Sequence, residues 1–184
     1  ISTTTPLTKL VGFSLGAMVV KRFVIDNPNL VEGLIITHSV FNRNNEQRKA
    51  IEKRLDSVQN NGLNGIIEPA IQRWFTGSFI DSRPPILERV RQTLLENNLS
   101  NYQKAYEVFV FGDRELVPSV DTIECPCVII TGENDVNSTP SMAYALSRRI
   151  KGSEVKILRG LAYGAPIEAP KKFAKVIREA MTQW

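Results

Sequence analysis

The stretch Val11–Met18, VGFSLGAM, places Ser14 between Gly12 and Gly16 in a G-x-S-x-G arrangement. An apolar run precedes it and a helical pattern follows it, which predicts a sharp strand-to-helix turn with the serine hydroxyl above the sheet. We expect the two glycines to leave room where neighbouring backbone passes close. The first amides of the helix, the N–H of Leu15 among them, would face negative charge developing near the hydroxyl. The stretch therefore predicts a nucleophilic serine with one oxyanion donor.

The segments on either side of Ser14 predict a strand–helix–strand unit. After the turn, Leu15, Val19 and Phe23 recur at four-residue spacing, the pattern of a helix with one apolar stripe. The next segment, VEGLIITHSV, is the near-continuous apolar run of a strand buried on both faces of a parallel sheet. We therefore expect a parallel β-α-β unit at the start of the chain.

The middle of the chain predicts a helical insertion. NEQRKAIEKRLDSVQNNG, IIEPAIQRWFTGSF, PPILERVRQTLLENN and NYQKAYEVFVFGD each favour one helix, and the third has Ile86, Val90 and Leu94 at four-residue spacing. Strand patterns return in CPCVIITGEND and SEVKILRG, and an amphipathic helix closes the chain. We predict core segments at residues 1–41 and 121–184, a helical cap at 42–120, and a three-layer α/β/α fold with a mainly parallel sheet.

Composition narrows the function classes. The chain of 184 residues is 42% hydrophobic and has a net charge of +4 from scattered residues, so neither a nucleic-acid surface nor a membrane span is expected. Cys125 and Cys127 are two apart, which suits neither a disulfide nor a metal site and favours reduced thiols in the cytoplasm. We expect no metal and no cofactor.

Several motifs in order resemble the second half of an α/β-hydrolase-fold protein. They are LVGFSLGAMVVKRFVIDNPNLVEGLII, the helical insertion, CPCVIITGENDVNSTP and GAPIEAPKKFAKVI. RWFTGSF in the insertion resembles the 3-oxoadipate enol-lactonase and carboxylesterase-like branch. The resemblance implies strands before the elbow strand, one of whose loops supplies the second oxyanion N–H, so we expect a missing N-terminal segment or a partner chain.

The resemblance also implies an acid and a base. The G-x-x-D pattern of GEND nominates Asp135 as the acid, with Glu133 and Asp113 as alternatives. The family's histidine position, three residues after Gly160, holds Tyr163 in this chain. A phenol with a pKa near 10 is a poor base at neutral pH and would more readily hydrogen-bond the serine.

His38, the single histidine, ends an apolar strand beside the elbow strand. It is therefore expected at the active-site edge of the sheet, either as a structural or pocket-lining residue or as a substitute base. We also expect Gly12, Phe13 and Trp74 near the pocket.

Two functions remain open at this point. The first is a serine hydrolase of small carboxylic esters or lactones, in which Ser14 attacks and Asp135 orients a base. The second is a non-catalytic small-molecule binding protein, or an incomplete half-domain, that keeps the pocket without the base. The retained G-x-S-x-G and GEND favour the first, and Tyr163 favours the second.

Overall fold

The computed structural model describes residues 7–82, 84–182 and 184. Four parallel strands form one sheet in the order β1-β2-β3-β4. The strands are β1 (Thr8–Phe13), β2 (Val31–Thr37), β3 (Cys127–Gly132) and β4 (Glu154–Leu158). Because neighbouring strands are parallel, their carboxyl ends meet at one edge of the sheet, where Ser14, His38 and the GEND loop follow them.

Helices connect the strands. They are α1 (Leu15–Asp26) between β1 and β2; α2 (Asn45–Asn61), α3 (Ile67–Trp74), α4 (Gly77–Asp81), α5 (Pro85–Leu95) and α6 (Leu99–Leu116) between β2 and β3; α7 (Pro140–Ser147) between β3 and β4; and α8 (Ala165–Glu168) and α9 (Pro170–Met181) after β4. Two 3-10 turns lie at Pro28–Leu30 and Val117–Thr122. We call α2–α6 the inserted helices; the cap boundaries at residues 42 and 120 stay a prediction.

The two faces of the sheet have separate apolar cores. Leu34 and Ile36 of β2 pack with residues of α1 and α7, whereas Ile35 faces the other side and packs with residues of α9. This alternation is the period of a strand covered on both faces. The predicted parallel three-layer α/β/α fold is confirmed.

The apolar stripe predicted for α1 is wrong at Val19 and Phe23, whereas Leu15 packs against the core. Val19 is 59% exposed and Phe23 is 39% exposed, whereas the helix buries Ala17, Met18, Lys21 and Val24. The residues that α1 buries lie on a different face from the predicted stripe, because the helix packs against both the sheet and α6. The packing face therefore includes a lysine that no apolar pattern would place there.

Two predictions within the inserted helices also need correction. In α5 the buried residue is Leu87, and Ile86 is 37% exposed. The segment IIEPAIQRWFTGSF forms two helices, since α3 ends at Trp74 and Thr76 caps α4 by accepting the N–H of Phe79. A side chain that bonds the backbone in this way starts a new helix.

Candidate active site

Ser14 occupies the turn between β1 and α1 in a strained conformation. Its φ of 54° and ψ of −116° lie in a region that non-glycine residues rarely adopt. Its N–H donates to the Thr37 carbonyl at 3.0 Å, and its carbonyl accepts the Ala17 N–H at 3.0 Å. The neighbouring strand and the first turn of α1 together hold this conformation.

The two glycines of the motif have different surroundings. A Cβ on Gly12 would lie 2.4 Å from Val20 Cγ2 and 2.6 Å from Ala17 Cα, so only glycine fits there. A Cβ on Gly16 would meet no atom within 4 Å. The expected close approach is therefore present at Gly12, and the expectation is wrong for Gly16 among the described residues.

Tyr163 lies beside Ser14: both residues line one cavity, and Ser14 is close enough to act on the pKa of the Tyr163 phenol. The ring of Tyr163 packs against Phe13 at 5.0 Å and Trp74 at 5.4 Å between centroids. Burial raises the pKa of Tyr163 to about 12, and Ser14 offsets this only in part. At neutral pH this phenol is therefore uncharged.

Asp135 is hydrogen-bonded to His38 and not to Tyr163. His38 Nδ1 lies 2.8 Å from Asp135 Oδ2, and both side chains are fully buried. Asp135 Oδ1 accepts the N–H groups of Asn137 at 2.9 Å and Ser138 at 2.8 Å. The carboxylate is thus fixed on one side by backbone amides and on the other by the imidazole.

The second ring nitrogen of His38, Nε2, makes no hydrogen bond to the described residues. This nitrogen is also buried. The ring contacts Phe13 at 5.3 Å, Tyr163 at 5.7 Å edge-on and Phe173 at 6.2 Å between centroids. Its backbone has a φ of 48°, and its carbonyl accepts the Ser138 hydroxyl at 2.8 Å.

The alternative acids lie elsewhere. Asp113, in α6, is buried and accepts the N–H groups of Asn42 at 3.0 Å and Arg43 at 3.1 Å. Glu133 is exposed and accepts the Gly160 N–H at 2.8 Å. Of the three carboxylates, Asp135 is the one that the structure places against a histidine.

A cavity of about 340 Å³ opens above Ser14, between the sheet edge and the inserted helices. Ser14, Leu15 and Tyr163 line it from the sheet side. The N–H of Leu15 is the first of α1 and has no acceptor within the helix. From the inserted helices the cavity is lined by polar and aromatic side chains, namely Arg54, Arg73, Trp74, Tyr102 and Tyr106.

Sequence reasoning found Trp74 but missed the arginines and tyrosines of this cavity. Arg73 directly precedes Trp74 in RWFTGSF, so the motif held a signal for it. Phe13 lines a second, apolar cavity of about 430 Å³, which shares Trp74 and Tyr163 with the first. Gly12 and His38 line neither of these two cavities.

Two absences hold for the part of the chain that the structure describes. No group of three or more His, Cys, Asp or Glu residues lies close enough to hold a metal ion. No helix there has the length and apolarity needed to cross a membrane. Cys125 and Cys127 are both free.

Comparison with known proteins gives the chain's relatives. The model of the Ndr family matches residues 8–180. The (E)-2-((N-methylformamido)methylene)succinate hydrolase of Acinetobacter baylyi is 29% identical over 175 residues, which cover 95% of this chain and 64% of the relative. The 3-oxoadipate enol-lactonase 2 of the same organism is 24% identical over 179 residues, covering 97% and 65%.

Solved structures show the same fold. The crystal structure of the enol-lactonase from Burkholderia xenovorans LB400 superposes with a TM-score of 0.85 at 19% identity, covering 97% of this chain and 66% of that chain. The chain spans 64% and 65% of the two curated Acinetobacter relatives.

Proposed function

The chain belongs to the Ndr family and has the α/β-hydrolase fold, and we propose that it acts on a small carboxylic ester or lactone through Ser14. The conformation of Ser14 is the observation that carries the proposal. A φ of 54° on a serine costs about 1–3 kcal/mol. Such strained conformations cluster at functional sites, and a turn with only a structural role has no need of one. The strain places the hydroxyl on the wall of a cavity large enough for a small ester.

The chemistry would follow the serine hydrolase pattern. Ser14 Oγ attacks the carbonyl carbon, and the Leu15 N–H binds the oxyanion at the start of α1. The Ser14 proton must pass to the departing alkoxide, so formation of the acyl-enzyme releases the alcohol of an ester or opens the ring of a lactone, and water then hydrolyses the acyl group. The relatives named for hydrolase and enol-lactonase activities support this reaction class.

Proton removal from Ser14 is the weak step of the proposed reaction. Tyr163, whose pKa is raised to about 12 by burial, is a neutral phenol at pH 7 and cannot take up the serine proton efficiently. His38 is held by Asp135 at Nδ1 as a triad histidine would be, yet its free Nε2 is enclosed by aromatic rings. We propose that Asp135 and His38 position Tyr163 and that acylation is slow, by several powers of ten relative to a complete triad.

A second candidate is a non-catalytic binding protein, and the neutral phenol of Tyr163 beside Ser14, where the base would be needed, favours it. In that case Ser14 hydrogen-bonds a ligand carbonyl and Tyr163 closes the cavity.

The free thiols of Cys125 and Cys127 support a reducing compartment such as the cytoplasm for either candidate.

Labelling with a fluorophosphonate probe separates the candidates. We expect slow labelling of the wild-type chain at Ser14, none in Ser14→Ala, and at least tenfold faster labelling in Tyr163→His, because an imidazole can accept the serine proton. Tyr163→Phe, which removes the hydroxyl without adding a base, serves as the matched control and should not gain rate. Absence of labelling in both the wild-type chain and Tyr163→His would refute the hydrolase and leave the binding protein.

The role of His38 is tested in the same assay. We expect His38→Asn to label within about threefold of wild type once its folding is confirmed by circular dichroism, because Nε2 of His38 makes no hydrogen bond to Ser14 or to any other described residue. Loss of labelling in a folded His38→Asn variant would instead make His38 the base.

A further inference from the structure

Two arginines of the inserted helices face the cavity above Ser14 without a counter-ion. Arg54 lies in α2 and Arg73 in α3, and both line the cavity. In the described part of the chain, no carboxylate forms an ion pair with either of them. Arg54 donates to Asn137 Oδ1 at 3.0 Å and to the Ala50 carbonyl at 3.2 Å, whereas Arg73 Nε is buried with no hydrogen-bond partner among the described residues.

Several arginines at the surface have a carboxylate partner, which Arg54 and Arg73 lack. Arg22, Arg91 and Arg149 each reach a carboxylate within 3.0 Å on exposed surface, where water would also satisfy them. Arg54 and Arg73 are partly enclosed and lack such a partner. The Nε–H of Arg73 is a buried donor without a partner among the described residues, and because such a donor is costly to leave unpaired, an anion that entered the cavity would stabilise this arrangement.

The electrostatics of the cavity point the same way. Burial lowers the pKa of Arg73, and the positive charge of Arg54 lowers it further, so the two guanidinium groups are close enough to repel each other. Tyr102 and Tyr106 of α6 line the same wall. Burial raises the pKa of Tyr102 to about 12, so its hydroxyl stays neutral and adds a hydrogen-bond donor for an anion.

We propose that Arg54 and Arg73 form a carboxylate-binding subsite, so that the ligand of this cavity is a small ester or lactone that carries a free carboxylate. The proposal rests on the proposed function for the position of the ester at Ser14. The planar guanidinium fork matches the two oxygens of a carboxylate. The volume of about 340 Å³ and the apolar side chains of Ile66, Pro69 and Trp74 suit a short carbon chain between the two ends.

Isothermal titration calorimetry with glutarate tests the subsite without requiring catalysis. We expect glutarate to bind the wild-type chain and Ser14→Ala alike, and to bind at least tenfold more tightly than its neutral analogue dimethyl glutarate. Arg54→Met and Arg73→Met should each weaken glutarate binding at least tenfold. Arg89→Met, on the exposed side of α5 and outside the cavity, is the matched control and should leave binding unchanged.

Kinetics in the Tyr163→His background give a second readout. Adding Arg73→Met should lower kcat/KM at least tenfold for mono-p-nitrophenyl succinate and leave p-nitrophenyl acetate within twofold. Wild-type binding of dimethyl glutarate as tight as glutarate, unchanged glutarate binding in both arginine variants, or tighter binding of inorganic phosphate than of glutarate would each overturn the carboxylate subsite. None of these three binding results depends on whether Ser14 reacts with a fluorophosphonate, so failure of the subsite and failure of the hydrolase are distinguishable.

Discussion

At the scale of single residues, the turn at Ser14 depends on close packing beneath Gly12. The Gly12 Cα faces Val20 and the backbone of Ala17, at distances that leave no room for a methyl group. We expect Gly12→Ala to lower the free energy of unfolding by about 2–3 kcal/mol, because β1 or α1 must shift to accommodate it. Urea denaturation followed by circular dichroism measures the change.

Gly16→Ala is the control at the other glycine of the motif. Its Cβ would enter open space in the first turn of α1, so we expect stability within about 1 kcal/mol of wild type, with any change toward higher stability. If Gly12→Ala and Gly16→Ala lowered the free energy of unfolding equally, the packing beneath Gly12 would not be the cause of the loss.

The G-x-S-x-G motif and the family resemblance predicted the residues of the site but not the hydrogen bonds around them. The family resemblance, read through the positions of two motifs, led us to expect Ser14 and Tyr163 in one site, and both residues line the same cavity. The bond between His38 and Asp135 joins residues 97 positions apart. It depends on β2 and β3 being neighbours in the sheet, a fact of strand order that no local pattern contains.

At the scale of elements, Glu168 joins the inserted helices to α8 beside the site, next to a backbone bond from the Gly164 N–H to the Trp74 carbonyl. Glu168, the last residue of α8, accepts the N–H of Thr76 at 3.3 Å and also its hydroxyl. Thr76 lies between α3, which carries Arg73 and Trp74, and α4. The contact therefore fixes the end of α3 over the cavity.

We expect Glu168→Ala to loosen this junction. Removal of the two hydrogen bonds should cost about 1–3 kcal/mol of stability and raise amide hydrogen exchange in residues 74–81, because the Thr76 groups lose their acceptor. Glu179→Ala, which removes an exposed ion pair with Lys175 in α9, is the matched control. Identical exchange in residues 74–81 of both variants would contradict this role of Glu168.

Strands were more predictable than helix faces. The run VEGLIITHSV predicted β2 because a strand covered on both faces is apolar at successive positions, and β2 has that burial. The face of α1 was not predictable in the same way, since Lys21 takes a core position there. A charged side chain in the core reflects tertiary contacts with α6 and the loop after β2, which apolar periodicity cannot report.

At the scale of the whole molecule, Lys21 makes stability depend on pH. It is 1% exposed, donates to the Val40 carbonyl at 3.4 Å, and lies near Asp113, Arg43 and Cys127. Burial lowers its pKa from 10.5 to about 8, while the charge of Asp113 partly opposes the shift. Between about pH 8 and 10.5 the folded chain binds fewer protons at Lys21 than the unfolded chain, so the lysine's contribution to stability rises with pH over this window.

Lys21→Met removes the charge and keeps an unbranched apolar stem, and it should therefore stabilise the chain more at neutral than at alkaline pH. We expect the gain in unfolding free energy to be about 2 kcal/mol larger at pH 7 than at pH 9.5. In the wild-type chain, burial of Lys21 costs the free energy of removing its proton, and this cost falls as the pH approaches the pKa of the unfolded lysine. Differences in packing and in the Val40 hydrogen bond are common to both pH values and cancel in this comparison. Lys104→Met, on the exposed face of α6, should show the same change at both pH values. A pH-independent effect of Lys21→Met, measured by urea denaturation, would mean that this lysine is as readily charged in the fold as in the unfolded chain.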